Sequence, residues 1–354
     1  MVAPPPRSYN SKERSVYFDP LIAAMFGAFG LAFGSFLNVC IYRLPRRILL
    51  LDERDMLAES DAVPADALER IEAELQVTRM WGTRSACPHC KQLIAWYDNV
   101  PVLSWLVLRG RCRRCKGAIS ARYIAVEVLT AALFIACYWQ FGFSIVAAKF
   151  CALTFFLLGL VFTDAEWKLL PDTLTITGLM VGLAFSPFVP VNDLAARLLP
   201  GVIGTGAPQW RWASVAQSAM GAIIGAAFIY GAGVLYLRMR PDLVERGKAA
   251  MGLGDVKLMA MIGVFLGASL TIFTVFAASI AGALWGLLLV TIVALKRLRR
   301  HRLRRQPANR AWRSAVTAFR FFQVPFGVFL GSMGLIAAFF GNHVLRWYAG
   351  FFVY

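Results

Sequence analysis

The chain has 354 residues, 58% of them hydrophobic and only 16% charged, with a formal net charge of +17. Soluble globular chains run at about 45–50% apolar and about 25% charged, so the composition excludes an ordinary soluble domain. Repeated apolar runs of about 20 residues point instead to an all-α, polytopic integral membrane protein. The excess Lys and Arg cluster between those runs. That is the pattern of cytoplasmic loops that fix orientation, and it implies no nucleic-acid partner.

Residues 1–18 are polar and Pro-rich and read as a tail. Met1-Val-Ala-Pro-Pro-Pro6 lacks the basic start and apolar core of a cleavable signal peptide. The first span is expected over Leu21–Ile41, with Arg43, Arg46 and Arg47 directly behind it. Further spans follow at 121–142, 145–163, 173–190, 215–237, 256–269, 271–295 and 321–341, about eight helices in all by length and apolarity. With an outward start, segments 43–120, 164–172, 238–255 and 296–320 fall in the cytoplasm. These carry most of the basic residues, including the run Lys296–Arg305, which suits anionic lipid headgroups better than nucleic acid. In the polar region 46–120, Leu68, Ile71 and Leu75 recur at helical spacing and predict a surface helix.

Asp255 stands out in Met251-Gly-Leu-Gly-Asp-Val-Lys257, at the mouth of an apolar run. Its best partner is Asp164, in Phe162-Thr-Asp-Ala-Glu-Trp-Lys-Leu-Leu-Pro-Asp172, at the end of another. An ionisable group at a membrane segment is costly to keep and marks a functional site by default. Two carboxylates brought together cannot both ionise cheaply. One holds a proton, and the pair divides acid and base roles for hydrolysing a peptide bond. Gly252 and Gly254 would give a substrate backbone room beside Asp255. The short motif alone equally allows interfacial charges with glycines serving helix packing. The shared cytoplasmic placement of Asp164 and Asp255 favours the dyad. Asp172, after Pro171, reads as a helix N-cap with a possible assisting role. Lys257 either snorkels or tunes the charge at the dyad, and Glu166 and Lys168 read as solvated interfacial charges.

Seven cysteines are present. Cys40, Cys137 and Cys151 sit singly in apolar runs as small buried hydrophobes. Cys87-Pro-His-Cys90 and Cys112-Arg-Arg-Cys115 have the spacing of a tetrahedral four-cysteine Zn2+ site. A reducing compartment disfavours disulfides. Four thiolates leave the metal no open position, so its role is structural, with His89 as an alternative ligand. No His-Glu-x-x-His or Gly-x-Ser-x-Gly motif occurs, and Gly252-Leu-Gly254 follows no strand as a nucleotide loop would require.

The ordered motifs resemble those of the type IV prepilin peptidases, bifunctional leader peptidases and N-methyltransferases. The resemblance rests on Gly34-Ser-Phe-Leu-Asn-Val-Cys-Ile-Tyr-Arg-Leu-Pro45, Cys87-Pro-His-Cys90, Asn99 to Cys115 and Ile119-Ser-Ala-Arg-Tyr-Ile-Ala-Val-Glu127. It continues through Leu-Leu-Pro-Asp172, Gly-Leu-Gly-Asp255 and Val324-Pro-Phe-Gly327. Family membership implies cleavage of a basic leader from prepilins or pseudopilins at the cytoplasmic face of the bacterial inner membrane. It also implies methylation of the new N-terminal residue with S-adenosylmethionine as donor. By motif position, Asp164 and Asp255 would be the catalytic pair and Cys87, Cys90, Cys112 and Cys115 the zinc tetrad. Gly110 matches a glycine linked to methyl transfer and Glu127 a family acidic position, with an interfacial charge as the equal alternative for Glu127.

The implied organisation is a tail over 1–18, a first transmembrane helix over 19–42, a cytoplasmic zinc loop domain over 43–120 associated with methyl transfer, and a membrane-embedded aspartic peptidase domain over 121–354. Segments 48–83 and 191–214 look longer than the family's usual linkers. A peptidase without methyl transfer, and a scaffold or transporter with structural aspartates, are the alternatives. A transporter should show internal repeats, and none is evident.

Overall fold

Inside a bilayer every backbone N–H and C=O must be satisfied within the segment, which restricts apolar spans to helices. The computed structural model describes residues 19–59, 65–80, 84–87, 89–190, 210–241, 252–303 and 325–350. The tail, residues 191–209 of the outer loop and most of the basic segments 242–251 and 304–320 lie outside these. Among the described residues no β-strand occurs, only two isolated bridges. The helices are α1 (Pro20–Ala58), α2 (Ala65–Val77), α3 (Leu103–Val107), α4 (Ala121–Phe141), α5 (Ile145–Trp167), α6 (Asp172–Phe185), α7 (Trp210–Met239), α8 (Leu253–Leu266), α9 (Ala268–Leu303), α10 (Phe326–Ile336) and α11 (Asn342–Gly350).

Each of the eight expected apolar runs contains a helix among its described residues. Among the described residues, six helical runs are long and apolar enough to cross a membrane: α1, α4, α5, α7, α9, and α10 continued through a π-turn into α11. The other two, α6 and α8, have 14 residues each. At 1.5 Å per residue they reach ~21 Å, short of the ~30 Å hydrocarbon core. For α8 the reason is its place in the bundle. Leu258, Met259 and Met261–Leu266 are all buried, packed among α6, α7, α9 and α10. A helix enclosed by other helices need not match the bilayer by itself.

The first span runs past its expected end. α1 continues through Pro45 to Ala58, although proline removes a helix hydrogen bond and crowds the preceding turn. The extension is fastened from outside by α2, the expected surface helix. Arg46 pairs with Glu74 at 2.8 Å, Arg70 with Glu53 at 2.8 Å, and Arg47 Nη1 donates to the Leu75 carbonyl at 3.2 Å. Ile71 of α2 is fully buried beneath these contacts. Arg43, itself buried, donates to the Arg79 carbonyl at 2.7 Å. The basic residues expected to set orientation therefore also tie α2 and its following segment to α1.

α5 lies at the centre, with Leu153, Leu157, Leu158 and Leu160 inside the main apolar core. Helices meet closely at small residues, as membrane packing favours. A Cβ on Gly34 of α1 would stand 2.7 Å from Glu127 Cα of α4. At the α7–α8 crossing the backbones touch, and a Cβ on Gly263 would lie 2.1 Å from the Gly221 carbonyl oxygen. Gly263→Leu should therefore cost about 1–3 kcal/mol or more by overpacking, seen as a lower thermal midpoint in detergent. Gly231→Leu, where an added Cβ meets nothing within 4 Å, should leave the midpoint unchanged.

Candidate functional site

Three helix ends converge on the two aspartates. Asp164 occupies the last turn of α5 and is only 6% exposed. Its Oδ2 accepts from the backbone N–H of Val328 at 2.9 Å. The N–H of Gly327 also points to the same carboxylate. The N-terminus of α10 thus caps Asp164, joining free N–H donors to the positive end of the helix dipole. Gly327 is there because a Cβ at this position would lie 2.8 Å from Asp164 Oδ2. Asp255 stands at the third position of α8, behind the N-cap Gly252. It is half-buried and interacts electrostatically with Asp164. The Val-Pro-Phe-Gly327 stretch matched the family by pattern, but its role as the donor for Asp164 was invisible until α10 met α5. Its only sequence sign was a proline followed by glycine at a helix start.

The two glycines ahead of Asp255 differ in what they do. Gly252 is exposed, and a Cβ there would meet Asp255 Oδ2 at an ordinary contact distance of 3.8 Å. Gly254 is packed, since a Cβ there would lie 2.9 Å from Leu170 Cβ. Leu170 also reaches the Gly327 position at 3.2 Å. One side chain from the α5–α6 connection therefore wedges between the helix ends that carry Asp255 and cap Asp164.

Asp172 begins α6 but makes no cap hydrogen bond. Its carboxylate instead takes Lys257 Nζ on both oxygens, at 2.7 and 2.6 Å. Glu166, expected to be solvated, pairs with Arg122 at the start of α4. That contact sets Asp164 level with the first turn of α4, at the same end of the bundle as the cysteine module. Glu127 is buried rather than interfacial. It accepts from the backbone N–H of Val102 at 2.8 Å, with Ser35 and Asn38 side chains also on its carboxylate. It therefore joins the module to both α1 and α4. Gly110 is buried at φ +68°, and any Cβ there would stand 2.9 Å from the Trp105 indole. Only glycine suits both constraints.

The cysteine module consists of two matching knuckles. In the first, Cys87 N–H donates to the Gln92 carbonyl and Lys91 N–H returns to the Cys87 carbonyl, both at 2.9 Å. In the second, Cys112 N–H donates to the Gly117 carbonyl at 2.9 Å and Lys116 N–H to the Cys112 carbonyl at 3.0 Å. Lys91 and Lys116 both take φ 57°, so each knuckle closes through a left-handed lysine. The Sγ atoms of Cys87, Cys90, Cys112 and Cys115 lie within 4.8 Å of one another, and Cys87 and Cys115 are 3.8 Å apart. Tetrahedral Zn–S bonds of about 2.3 Å put sulfurs roughly 3.8 Å apart, so the four thiols fit one metal ion. A disulfide would need about 2.05 Å. Backbone N–H groups of Cys115 and Arg114 hold the Cys112 thiol down to about 6. Cys115 moves up to about 11, because desolvation and the neighbouring sulfurs outweigh the Gly117 N–H. A cation that replaces the shared protons relieves that conflict. His89 stands outside the sulfur group; its ring lies against Gly117 and its Nε2 is 3.3 Å from the Ala118 carbonyl.

Cys40, Cys137 and Cys151 are buried apolar residues, as expected.

Residues 28–141 match the family model described as the bacterial peptidase A24 N-terminal domain, and residues 151–287 match the type IV leader peptidase family. The chain is similar to a protein of Legionella pneumophila named prepilin leader peptidase/N-methyltransferase, at 32% identity over 92% of this chain and 94% of that one. Proteins of the same name are 34% identical in Aeromonas hydrophila, over 90% of this chain and 91% of that one, and 32% identical in Pseudomonas aeruginosa, over 91% of both. No solved structure matches the chain. The α10 terminus that caps Asp164 lies beyond both matched segments.

Elemental analysis of the purified protein should find about one thiophilic divalent ion per chain. The ion should leave progressively in acid as the thiolates protonate. Cys112→Ser should abolish retention, and unchanged metal content in that variant would overturn the four-sulfur site.

Proposed function

The chain belongs to the type IV leader peptidase family, and from that premise we propose that Asp164 and Asp255 are the residues that hydrolyse the leader peptide bond. The protein is a prepilin leader peptidase and N-methyltransferase of the membrane. The observation that carries the catalytic assignment is the convergence of both carboxylates at one end of the bundle, with Asp164 capped by α10. The Val328 N–H holds the Asp164 carboxylate in a fixed orientation. Asp164 thus serves as the base that takes a proton from water, while Asp255 holds the pair's proton and delivers it to the departing amine. The exposed backbone at Gly252 leaves the approach to Asp255 clear for an extended substrate.

The substrates are prepilins or pseudopilins, cut on the cytoplasmic side of the bacterial inner membrane. Arg43, Arg46, Arg47, Arg109, Arg111 and Arg113 lie at the dyad end of the bundle, and such basic clusters stay in the cytoplasm. Zinc is the ion for Cys87, Cys90, Cys112 and Cys115, because an all-thiolate tetrahedral set suits it. The metal supplies a cross-link between the two knuckles and no open coordination position. S-adenosylmethionine is the methyl donor implied by the second activity. Gly110 and Glu127 support that half by holding its loop: Gly110 admits Trp105, and Glu127 fixes Val102.

Asp172 and Lys257 support the peptidase site. Both are substantially exposed, so their pairing contributes only about 0.2–1 kcal/mol. The main effect of Lys257 is to offset a third carboxylate close to the dyad.

Asp164→Asn and Asp255→Asn, assayed on a prepilin substrate in detergent, should each lose about 10²–10⁴-fold in cleavage. Near-normal cleavage by either variant would sink the assignment. Gly327→Ala should lower cleavage about tenfold or more through displacement of the Asp164 carboxylate, while metal content stays at the parent level. Lys257→Met should reduce kcat and shift the pH profile, with partial recovery in Asp172→Asn/Lys257→Met. A full loss that the double variant does not relieve would exclude the charge-offset role.

A further inference from the structure

The stretch from Val102 to Gly110 runs antiparallel beside the first turns of α4. At one end, Val102 N–H is bonded to Glu127. At the other, Trp105 Nε1 donates to the Ile119 carbonyl at 3.4 Å and Ile119 N–H to the Gly110 carbonyl at 2.7 Å. Glu127 is six residues inside a helix long and apolar enough to cross the membrane, a depth of ~9 Å at 1.5 Å per residue. α1 gives the same reading, because Gly34 packs on Glu127 and Asn38 Nδ2 donates to the Tyr123 carbonyl at 2.9 Å. Arg43, the first basic residue of α1, therefore stands ~13 Å beyond the level of Glu127.

At that depth α3 would be expected to bury its apolar side chains, yet Leu103, Leu106 and Val107 are 61%, 55% and 75% exposed. Beyond its C-terminus a groove of about 520 Å³ is lined by Val107, Leu108, Arg109, Arg111, Cys112 and Lys116. Among the described residues, Arg109, Arg111 and Lys116 have no carboxylate partner, whereas neighbouring Arg113 is bound to Asp98 through two nitrogens. Apolar groups at the depth of a membrane helix, followed by unpaired cations at its mouth, reproduce the layering of a bilayer surface.

We propose that α3 and the basic groove behind it form a lipid site, with Leu103, Leu106 and Val107 in the acyl region and Arg109, Arg111 and Lys116 on the phosphate of an anionic phospholipid. The site seats the metal module against the membrane beside the dyad. It is continuous with the lipid-facing surface of α4, where Val128 and Leu129 are exposed. This inference depends on the depth of α3 and not on the peptidase chemistry.

The test uses the full chain in nanodiscs containing a phospholipid with a photoactivatable diazirine on its acyl chain, with labelled peptides read by mass spectrometry. The Leu103–Leu108 peptide should be labelled comparably to that containing Val128 and Leu129, and at least about tenfold above the Glu69–Glu72 peptide of α2. Labelling at the α2 level would overturn the proposal. The headgroup is tested by delipidation followed by lipid analysis. The parent should retain phosphatidylglycerol over phosphatidylcholine, and Arg109→Gln/Arg111→Gln/Lys116→Gln should lose that preference. Millimolar inorganic phosphate should not displace the lipid, and displacement would identify a free-anion site instead. Addition of a prepilin substrate separates the other occupant: loss of the Leu103–Leu108 label would assign the face to the substrate and refute the lipid site. Metal content of the triple variant confirms that its module is folded, and the labelling arm on the unsubstituted protein stands without it.

Discussion

A carboxylate at the edge of an apolar core needs donors, and the N-terminus of α10 supplies them to Asp164. Hydrogen bonds to a charged group contribute about 1.5–3 kcal/mol each. That exceeds the 0.2–1 kcal/mol of an exposed pair such as Asp172–Lys257. The capped carboxylate therefore governs where α5 and α10 meet, and the surface ion pair only trims the result. Leu170 transmits the same constraint to α8, because it contacts the positions of Gly254 and Gly327 together. Packing on Leu170 thereby fixes the start of α8, which carries Asp255, beside the helix end that caps Asp164.

A second buried carboxylate does the corresponding work for the cysteine module. Glu127 gathers a loop N–H from Val102 and side chains from α1, so the metal knuckles are not a pendant domain but are bolted to the first two membrane helices. Arg122–Glu166 then joins the foot of α4 to the end of α5 that carries Asp164. This chain of contacts keeps the cysteine module and Asp164 on one end of the bundle. Four of the five non-glycine residues with positive φ among the described residues fall in the same region, Val102, Arg109, Lys91 and Lys116; the fifth, Lys168, ends α5. Each costs of order 1–3 kcal/mol, which the surrounding hydrogen bonds offset.

Much of this was legible in the residues. Apolar runs revealed eight helices because burial in lipid leaves no alternative backbone structure. The Cys-x-x-Cys pairs announced a four-sulfur cluster that could hold a metal, because the sulfurs of each knuckle lie close along the chain. Asp164 and Asp255 were conspicuous because a carboxylate ending an apolar run is costly. What local pattern misjudged were features decided across helices. The first span was expected over Leu21–Ile41, but α1 runs on to Ala58, fastened by α2. Asp172 had the position of an N-cap, but Lys257, 85 residues later, claims its carboxylate. Glu127 looked interfacial until Val102, Ser35 and Asn38 surrounded it.

Sequence by itself determined the helical class, the grouping of four cysteines and the choice of Asp164 and Asp255 as candidates, because hydropathy, ligand spacing and the cost of buried charge are properties of short stretches. Only the tertiary structure decided that the two aspartates stand at neighbouring helix ends, that Gly327 exists to let a helix terminus reach Asp164, and that the short α8 is enclosed by its neighbours. Those outcomes depend on which helix ends share a level in the bundle. That level is set by close contacts such as Gly34 on Glu127 and Gly221 on Gly263, between residues that are far apart along the chain.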